Sequence, residues 1–161
     1  MIAGTTMPAV SHTSQITSHD PRLAAWRSFL RAHARVVREL ERELQDQEQL
    51  ALTDYDVLVQ LAAAGEHRLR MSELADRLLL SRSGATRLVD RLVSEGLVER
   101  ASCEDDRRGQ WASLTTAGYE RLRRASPTHL RGVASHFLDL LSPEDLTSLE
   151  RMLRPVVEEA G

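Results

Sequence analysis

Residues 81–96 constrain the fold more than any other stretch, because they predict one helix with two chemically different faces. At 100° per residue the apolar side chains cluster on one side: Ala85, Leu88, Val89 and Leu92. The polar side chains cluster opposite them: Ser83, Thr86, Arg87 and Asp90, with Arg82 and Arg91 on the flanks. Ser81 is expected to cap this helix and Gly96 to end it. One face should therefore pack, while the other presents hydroxyl and guanidinium groups.

The segments around this helix predict a helix-turn-helix followed by a β-hairpin. Ser72 is expected to cap a short helix over 73–79, and a tight turn then leads to the two-faced helix. Strand-like residues 97–100 and 111–114 enclose a charged turn at 104–110. Two short helices and a hairpin are typical of a winged helix-turn-helix, which suits the major groove of double-stranded DNA.

Two further helices are predicted before the helix-turn-helix. Residues 21–47 place apolar side chains at steps of three and four, which gives one continuous apolar face: Trp26, Leu30, His33, Val37, Leu40 and Leu44. Thr53 is expected to cap a second helix that Gly65 ends. Leu69 and Met71 alternate with arginines, which indicates a short strand.

Two more helices are predicted after the hairpin. The fifth starts near Thr115 and continues to about Leu141, although Pro127 should kink or break it. Ser142 followed by Pro143 is a strong start for a sixth helix. The apolar face of that helix is formed by Leu146, Leu149, Leu153 and Val156. The predicted fold class is mainly α with a small β-hairpin (α+β), with about six helices.

The end helices carry more apolar surface than a small lobe can bury alone, so we expect them to join two copies of the chain. The dimerisation helices would cover about 21–47 and 116–159, and the winged helix-turn-helix lobe about 53–115. Residues 1–20 have no periodicity and are expected to form a disordered tail, which leaves 21–161 as a single domain.

The charge distribution favours an anionic partner for the middle of the chain. The formal net charge is −3, yet residues 66–131 carry thirteen arginines against ten acidic residues. The segments on either side, 1–65 and 132–161, are net acidic. No apolar run approaches the roughly 18 residues of a membrane span, and the start lacks signal-peptide features. We therefore expect a cytoplasmic protein with no membrane partner.

Residues for catalysis or metal binding do not form recognisable motifs. None of the six histidines has an acidic partner at motif spacing, and no phosphate-binding glycine loop or nucleophile elbow occurs. We expect a protein that is not an enzyme and has no cofactor or metal. His129 and His136, seven residues apart, leave a metal sensor open, and Cys103 beside the hairpin leaves a redox sensor open. A passive role is favoured for all three residues.

Several short motifs, taken together, resemble the MarR (multiple antibiotic resistance regulator) family over about residues 22–158. They are Leu74-Ala75, Thr86-Arg87-Leu88-Val89-Asp90-Arg91-Leu92, Gly96-Leu97-Val98, Asp106-Arg107-Arg108, Leu114-Thr115 and Gly118. The resemblance implies a homodimeric transcription regulator, usually a repressor, that binds a pseudo-palindromic operator. It also implies release of the DNA by a small aromatic or anionic ligand.

The resemblance and the helix pattern together define a predicted DNA-binding set. Its members are Ser81, Arg82, Ser83, Thr86, Arg87, Arg91, Arg107 and Arg108, with Asp106 orienting the wing. Asp106 and Arg108 match the family's Asp-x-Arg wing motif, and an arginine at a hairpin tip can enter a narrow minor groove. Asp90 is expected to orient Arg87 or Arg91.

The family's ligand pocket lies between the dimerisation helices and the lobe. Its predicted residues here are Trp26, His33, Tyr55, Asp56 and Trp111, although core packing is the favoured role for the three large aromatic residues. An alternative function stays open, namely an architectural or co-regulatory DNA-associated module that acts through protein partners without a ligand. A defined palindromic footprint would separate the two functions.

Overall fold

Six helices and one small sheet form the part of the chain that the computed structural model describes, residues 17, 20–102 and 110–158. The helices are α1 (Leu23–Glu48), α2 (Leu52–Ala63), α3 (Met71–Arg77), α4 (Arg82–Ser94), α5 (Thr116–His136) and α6 (Pro143–Glu158). The strands are β1 (Arg68–Arg70), β2 (Val98–Ser102) and β3 (Gln110–Leu114), and single 3-10 turns lie at Gly65–His67 and Leu138–Leu140. The predicted fold class is confirmed.

The chain divides into two compact units, Met1–Ala34 and Arg35–Gly161, and each is described by itself. In the first unit the amide of Leu23 donates to the carbonyl oxygen of Asp20 (3.0 Å) where α1 begins. Trp26, Phe29 and His33 follow at helical spacing, and their neighbouring ring centroids are 6.1 and 6.3 Å apart. All three rings are exposed, so this face of α1 is apolar and open.

The core of the second unit draws its largest side chains from five elements. The largest fully buried ones are Leu44 of α1, Val57, Leu58 and Leu61 of α2, Leu74 of α3, Val89 and Leu92 of α4, and Val98 of β2. Each contributes about 1.5–3 kcal/mol on leaving water. The helix-turn-helix therefore packs against α2 and against the end of α1. This packing fixes the position of its exposed face.

The hairpin is part of a three-stranded antiparallel sheet in the order β1-β3-β2. β1 pairs with β3 with Leu69 opposite Ala112, and β2 pairs with β3 with Val98 opposite Leu114. Leu69, Ala112 and Val98 are buried, which places one sheet face on the core. The sequence predicted all three strands but not the pairing of β1 with β3, because that pairing joins segments forty residues apart.

Two of the predicted helix caps are wrong and two are correct. α2 begins at Leu52, with Ala51 as N-cap, and Thr53 lies inside the helix. α3 begins at Met71 rather than after Ser72. The hydroxyl of Ser142 accepts from the amide of Asp145 (3.1 Å) at the start of α6, and Ser81 caps α4 as predicted. Thr53 and Ser72 are each the exposed second residue of their helix. The packing of the helix, and not the nearby hydroxyl, determines where it begins.

The start of α5 lies directly against the chain that leaves α4. The hydroxyl of Thr115 donates to the carbonyl oxygens of Gly96 (2.8 Å) and Leu97 (3.0 Å) and accepts from the amide of Gly118 (3.0 Å). A Cβ at Gly118 would collide with the carbonyl oxygen of Leu97, so only glycine fits there. This contact links the sheet to α5.

Pro127 does not break α5, which is helical from Thr116 to His136. The predicted break is wrong, because α5 is held on both sides of the proline. Ala125 is fully buried there, and the hydroxyl of Thr128 donates to the carboxylate of Glu48 on α1 (2.8 Å). Packing along the helix outweighs the missing proline hydrogen bond.

Candidate nucleic-acid interface

The polar face of α4 is exposed as its pattern predicts. Ser81 caps the helix by accepting from the amide of Gly84 (3.1 Å), and its hydroxyl lies 3.2 Å from that of Ser83. The apolar residues Ala85, Leu88, Val89 and Leu92 are buried, whereas Arg82, Ser83, Thr86 and Arg87 are exposed. Arg87 forms no ion pair with any described residue. Its guanidinium is therefore available to an anionic partner.

Arg91, the last arginine of α4, is held by α2. Its guanidinium pairs with the carboxylate of Asp54, a residue that is only 6% exposed. That hydrogen bond raises the pKa of Arg91, so the guanidinium stays charged. A carboxylate buried on α2 thus fixes the C-terminal half of α4 from one side.

Arg100 of β2 holds α4 from the other side. Its guanidinium lies 3.1 Å from the carboxylate of Asp90 and donates to the carbonyl oxygen of Thr86 (3.2 Å) and to the side-chain oxygen of Gln110 (3.1 Å). The prediction that Asp90 orients Arg87 or Arg91 is therefore wrong, because its partner comes from the sheet. Strand β2 lies close enough to α4 to supply this partner.

Asp54 and Arg100 were missed by the sequence analysis, although each carries a signal. Asp54 lies on the apolar face of α2, one turn before Val57 and Leu58, and a carboxylate there requires a buried partner. Arg100 is two residues after the buried Val98, so it lies on the same face of β2 and points back toward the lobe.

The wing tip falls outside the described residues. Asp106, Arg107 and Arg108 are in the undescribed segment 103–109, and so is Cys103. The strands that lead to this segment are described, and their last pair is Ser102 with Gln110. The predicted roles of the wing tip stay predictions.

The residues predicted for a ligand pocket have separate surroundings. Tyr55 is buried against α5, where its ring centroid lies 4.4 Å from that of His129 and its hydroxyl donates to Ser126 (3.4 Å). Trp111 lies on the sheet, and the guanidinium carbons of Arg68 and Arg70 are 4.9 and 5.4 Å from its ring centroid. Tyr55 and Trp111 therefore pack in different places. Tyr55 has the core role favoured for it, whereas that role is wrong for the partly buried Trp111, which lies against the two arginines, and for the exposed Trp26.

Two titratable groups near these aromatic residues are perturbed by burial. Burial raises the pKa of the half-buried Asp56 carboxyl, and the charge of Glu41 raises it further. Burial also lowers the pKa of His129, whose Nδ1 is buried without a hydrogen-bond partner among the described residues. Trp26 and His33 belong to the first unit, where they lie on the exposed face of α1.

A different set of residues lines an open cleft of about 540 Å³ between α2 and α5. Tyr119, Arg123 and Leu130 of α5 form one wall, and Val59 and Ala63 of α2 form the other, with His67 at one end. The ring centroids of His67 and Tyr119 are 6.0 Å apart. The cleft combines aromatic and apolar walls with one guanidinium. None of the five predicted pocket residues lines it.

Two kinds of site are absent from the described residues. No three His, Cys, Asp or Glu side chains within them are grouped closely enough to hold a metal ion. No helix within them combines the length and the apolar composition that a membrane span needs.

Comparison with known proteins identifies a consistent set of relatives. A model of the MarR family matches residues 48–109. The transcriptional repressor MprA of Escherichia coli (strain K12) is 31% identical over 105 residues, which cover 65% of this chain and 59% of that repressor. The matched residues therefore span about three fifths of the length of MprA.

Two solved structures from Streptomyces coelicolor match over almost the whole chain. AbsC, a MarR family transcriptional regulator, is 39% identical with a TM-score of 0.82 and covers 92% of this chain and 98% of its own. Sco3205, a MarR family regulator in complex with DNA, is 38% identical with a TM-score of 0.81 and covers 89% of each chain. Both extend the resemblance well beyond the helix-turn-helix.

Proposed function

The chain belongs to the MarR family of transcriptional regulators, and from this premise we propose that it is a homodimeric, sequence-specific DNA-binding repressor. One observation carries the proposal. α4 exposes hydroxyl and guanidinium groups on one face, and ion pairs from α2 and β2 hold the helix on both sides. A rigid helix of this kind can enter a major groove without losing its own order.

The proposed DNA contacts divide into base reading and phosphate binding. Ser83 and Thr86 lie on the exposed face of α4 and can hydrogen-bond to base edges. Arg82 and Arg87, together with the Ser81 region at the helix start, suit phosphates, because a helix N-terminus attracts anions. Arg91 is assigned to positioning α4, since Asp54 occupies its guanidinium.

The wing completes the proposed interface. We assign Arg108 to the minor groove with Asp106 orienting it, and Arg107 to a phosphate, from the motif alone. The sheet supports this assignment, because β2 carries Arg100, which binds α4 directly. A wing and a recognition helix joined in this way would bind DNA as one unit.

The proposed homodimer rests on apolar side chains that the second unit does not bury. Met152, Val156 and Val157 of α6 are between 62% and 73% exposed, and Leu140 before α6 is 69% exposed. Large apolar side chains exposed together on one helix are typical of an interface. Two copies joined there would present their α4 helices about 34 Å apart, one turn of DNA, to a pseudo-palindromic operator.

We also propose that a small aromatic anion binds the cleft between α2 and α5. Arg123 offers a charge for a carboxylate or phenolate, and Tyr119 and His67 offer rings for stacking. α2 carries Asp54, which holds α4, so a ligand that moves α2 against α5 would also move the recognition helix. This coupling would release the DNA.

The DNA-binding proposal is tested by selecting bound operators from a random DNA pool and then measuring affinity at two salt concentrations. We expect a pseudo-palindromic operator. Arg87→Ala should weaken binding to all operator variants alike and reduce the salt slope by about one per subunit, as for a lost phosphate contact. Arg151→Ala, an exposed arginine of α6, is the matched control and should leave the salt slope unchanged.

Two outcomes would contradict this proposal. Selection that yields no palindrome would favour the architectural module. A loss at a single base with a constant salt slope would assign Arg87 to base reading instead of phosphate binding.

A further inference from the structure

The two helices of the helix-turn-helix end with the same hydrogen-bond pattern but with different residues at its critical position. After α4, the amide of Gly96 donates to Val93 (3.0 Å) and that of Leu97 to Leu92 (2.9 Å). After α3, the amide of Leu79 donates to the carbonyl oxygen of Asp76 (3.1 Å) and that of Leu80 to the carbonyl oxygen of Ala75 (2.9 Å). Both are Schellman endings, which require a left-handed residue.

Glycine occupies that left-handed position after α4, whereas leucine occupies it after α3. Gly96 has φ +71°, and Leu79 has φ +53°. A side chain with a Cβ is strained in this conformation, and glycine is not. Leu79 is therefore in a conformation that glycine would adopt at lower cost.

The Leu79 side chain gains nothing from packing that would offset this strain. It is 93% exposed, the highest exposure among the large apolar residues described. Its neighbour Leu78 is half-buried on the core, so the turn does not need a second leucine to anchor it. Leu79 thus lowers the stability of the chain in two ways, by its backbone strain and by its exposed apolar surface. This points to a contact made outside the chain.

The position of Leu79 identifies that contact. It lies in the turn between α3 and α4, two residues before the cap Ser81. In a helix-turn-helix the first helix crosses the DNA backbone and the start of the second enters the groove, so the turn meets the groove rim. The apolar atoms there are the carbons of deoxyribose. We propose that Leu79 packs against deoxyribose of the DNA backbone, an inference that rests on the DNA-binding function proposed above.

This contact has a distinct signature in binding experiments. It involves no charge, so its loss leaves the salt slope unchanged, unlike the loss of a phosphate contact. It reads no base, so its loss weakens all operator variants equally. Contact with a thymine methyl group would instead depend on one position of the operator.

The experiment compares Leu79→Asn and Leu79→Met with the wild-type chain. Asparagine tolerates the left-handed conformation, so Leu79→Asn should raise Tm while lowering operator affinity about ten-fold, the effect of exposing a buried leucine. Leu79→Met keeps an apolar side chain and should retain affinity. Gln49→Asn is the matched control, because Gln49 (φ +48°) is an exposed left-handed residue after α1. It should raise Tm and leave affinity unchanged.

Each remaining outcome overturns the inference. Unchanged affinity of Leu79→Asn, with Tm raised, would remove Leu79 from the interface. If Leu79→Asn lowers operator affinity and also changes the salt slope, the substitution has shifted a phosphate contact. If uracil in place of one thymine weakens wild type but not Leu79→Asn, the contact is with that methyl group and not with the sugar. Failure of the wild-type chain to select any DNA would refute the proposed function itself.

Discussion

Helices α4 and α6 have equally clear apolar faces, yet only one of them is covered by the part of the chain that the structure describes. α4 buries Ala85, Leu88, Val89 and Leu92, whereas no residue of α6 is buried. Val156 of α6 is 69% exposed. The same pattern therefore leads to two outcomes. Amphipathicity predicts that an apolar face will be covered, but it does not predict which element or molecule will cover it.

The polar faces of the two helices differ in the same way. α4 is tied to its surroundings by Asp54 and Arg100, which come from other elements. The ion pair described on α6, Arg154 with Glu150, joins residues of the same helix one turn apart. A helix with only local polar contacts and an open apolar face depends on a partner molecule for its position, which is why α6 carries the dimer proposal.

The largest expected effect comes from placing charge on α6. The double substitution Met152→Glu and Val156→Glu should convert a dimer into monomers, since about 1.5–3 kcal/mol is lost for each apolar side chain removed from an interface. Sedimentation equilibrium measures the mass. The matched control is Arg151→Glu with Glu158→Arg, which alters exposed charges of the same helix. A double variant that stays dimeric would place the interface elsewhere.

A smaller effect is expected from a cavity under α4. Leu92 is fully buried, so Leu92→Ala should lower the free energy of unfolding by about 2–5 kcal/mol, measured by urea denaturation. Val157→Ala on α6, where the side chain is 73% exposed, is the comparison and should cost far less at a concentration where the chain is monomeric. Equal losses would mean that α6 is packed within the monomer after all.

The smallest effect concerns the half-buried carboxyl of α2. Burial raises the pKa of Asp56 in the folded chain above its unfolded value, so folding favours the protonated form. The chain therefore loses stability as pH rises from the unfolded pKa of 3.8 through the raised folded pKa. Asp56→Asn should raise Tm slightly at pH 7 and lose this advantage near pH 3. A gain in Tm that is independent of pH would show that burial of the charge is not its cause.

Asp76→Asn serves as the control for that titration. Asp76 is exposed on α3, so its substitution should leave the dependence of Tm on pH as it is in the wild-type chain. A similar gain from Asp76→Asn would trace the effect to net charge and not to the surroundings of Asp56.

Local sequence patterns were sufficient for the features that depend on near neighbours. Three such features were predicted correctly, because each rests on residues within about one helical turn. They are the two faces of α4, the caps Ser81 and Ser142, and Gly96 as the residue that ends α4. Thr53 and Ser72 failed as caps because a nearby hydroxyl is a weaker determinant than the packing of the helix that contains it.

Residue patterns alone predicted six helices, the packed face of α4 and the resemblance to the family. The partners of the charged residues, in contrast, depend on how the elements pack: Asp54 pairs with Arg91, and Arg100 pairs with Asp90. These pairs join residues 37 and 10 positions apart, across elements whose contact depends on the whole core. Periodicity predicts the direction in which a side chain leaves its own backbone. An ion pair also requires that two backbone segments lie close together. The burial of apolar surface throughout the unit determines which segments do so.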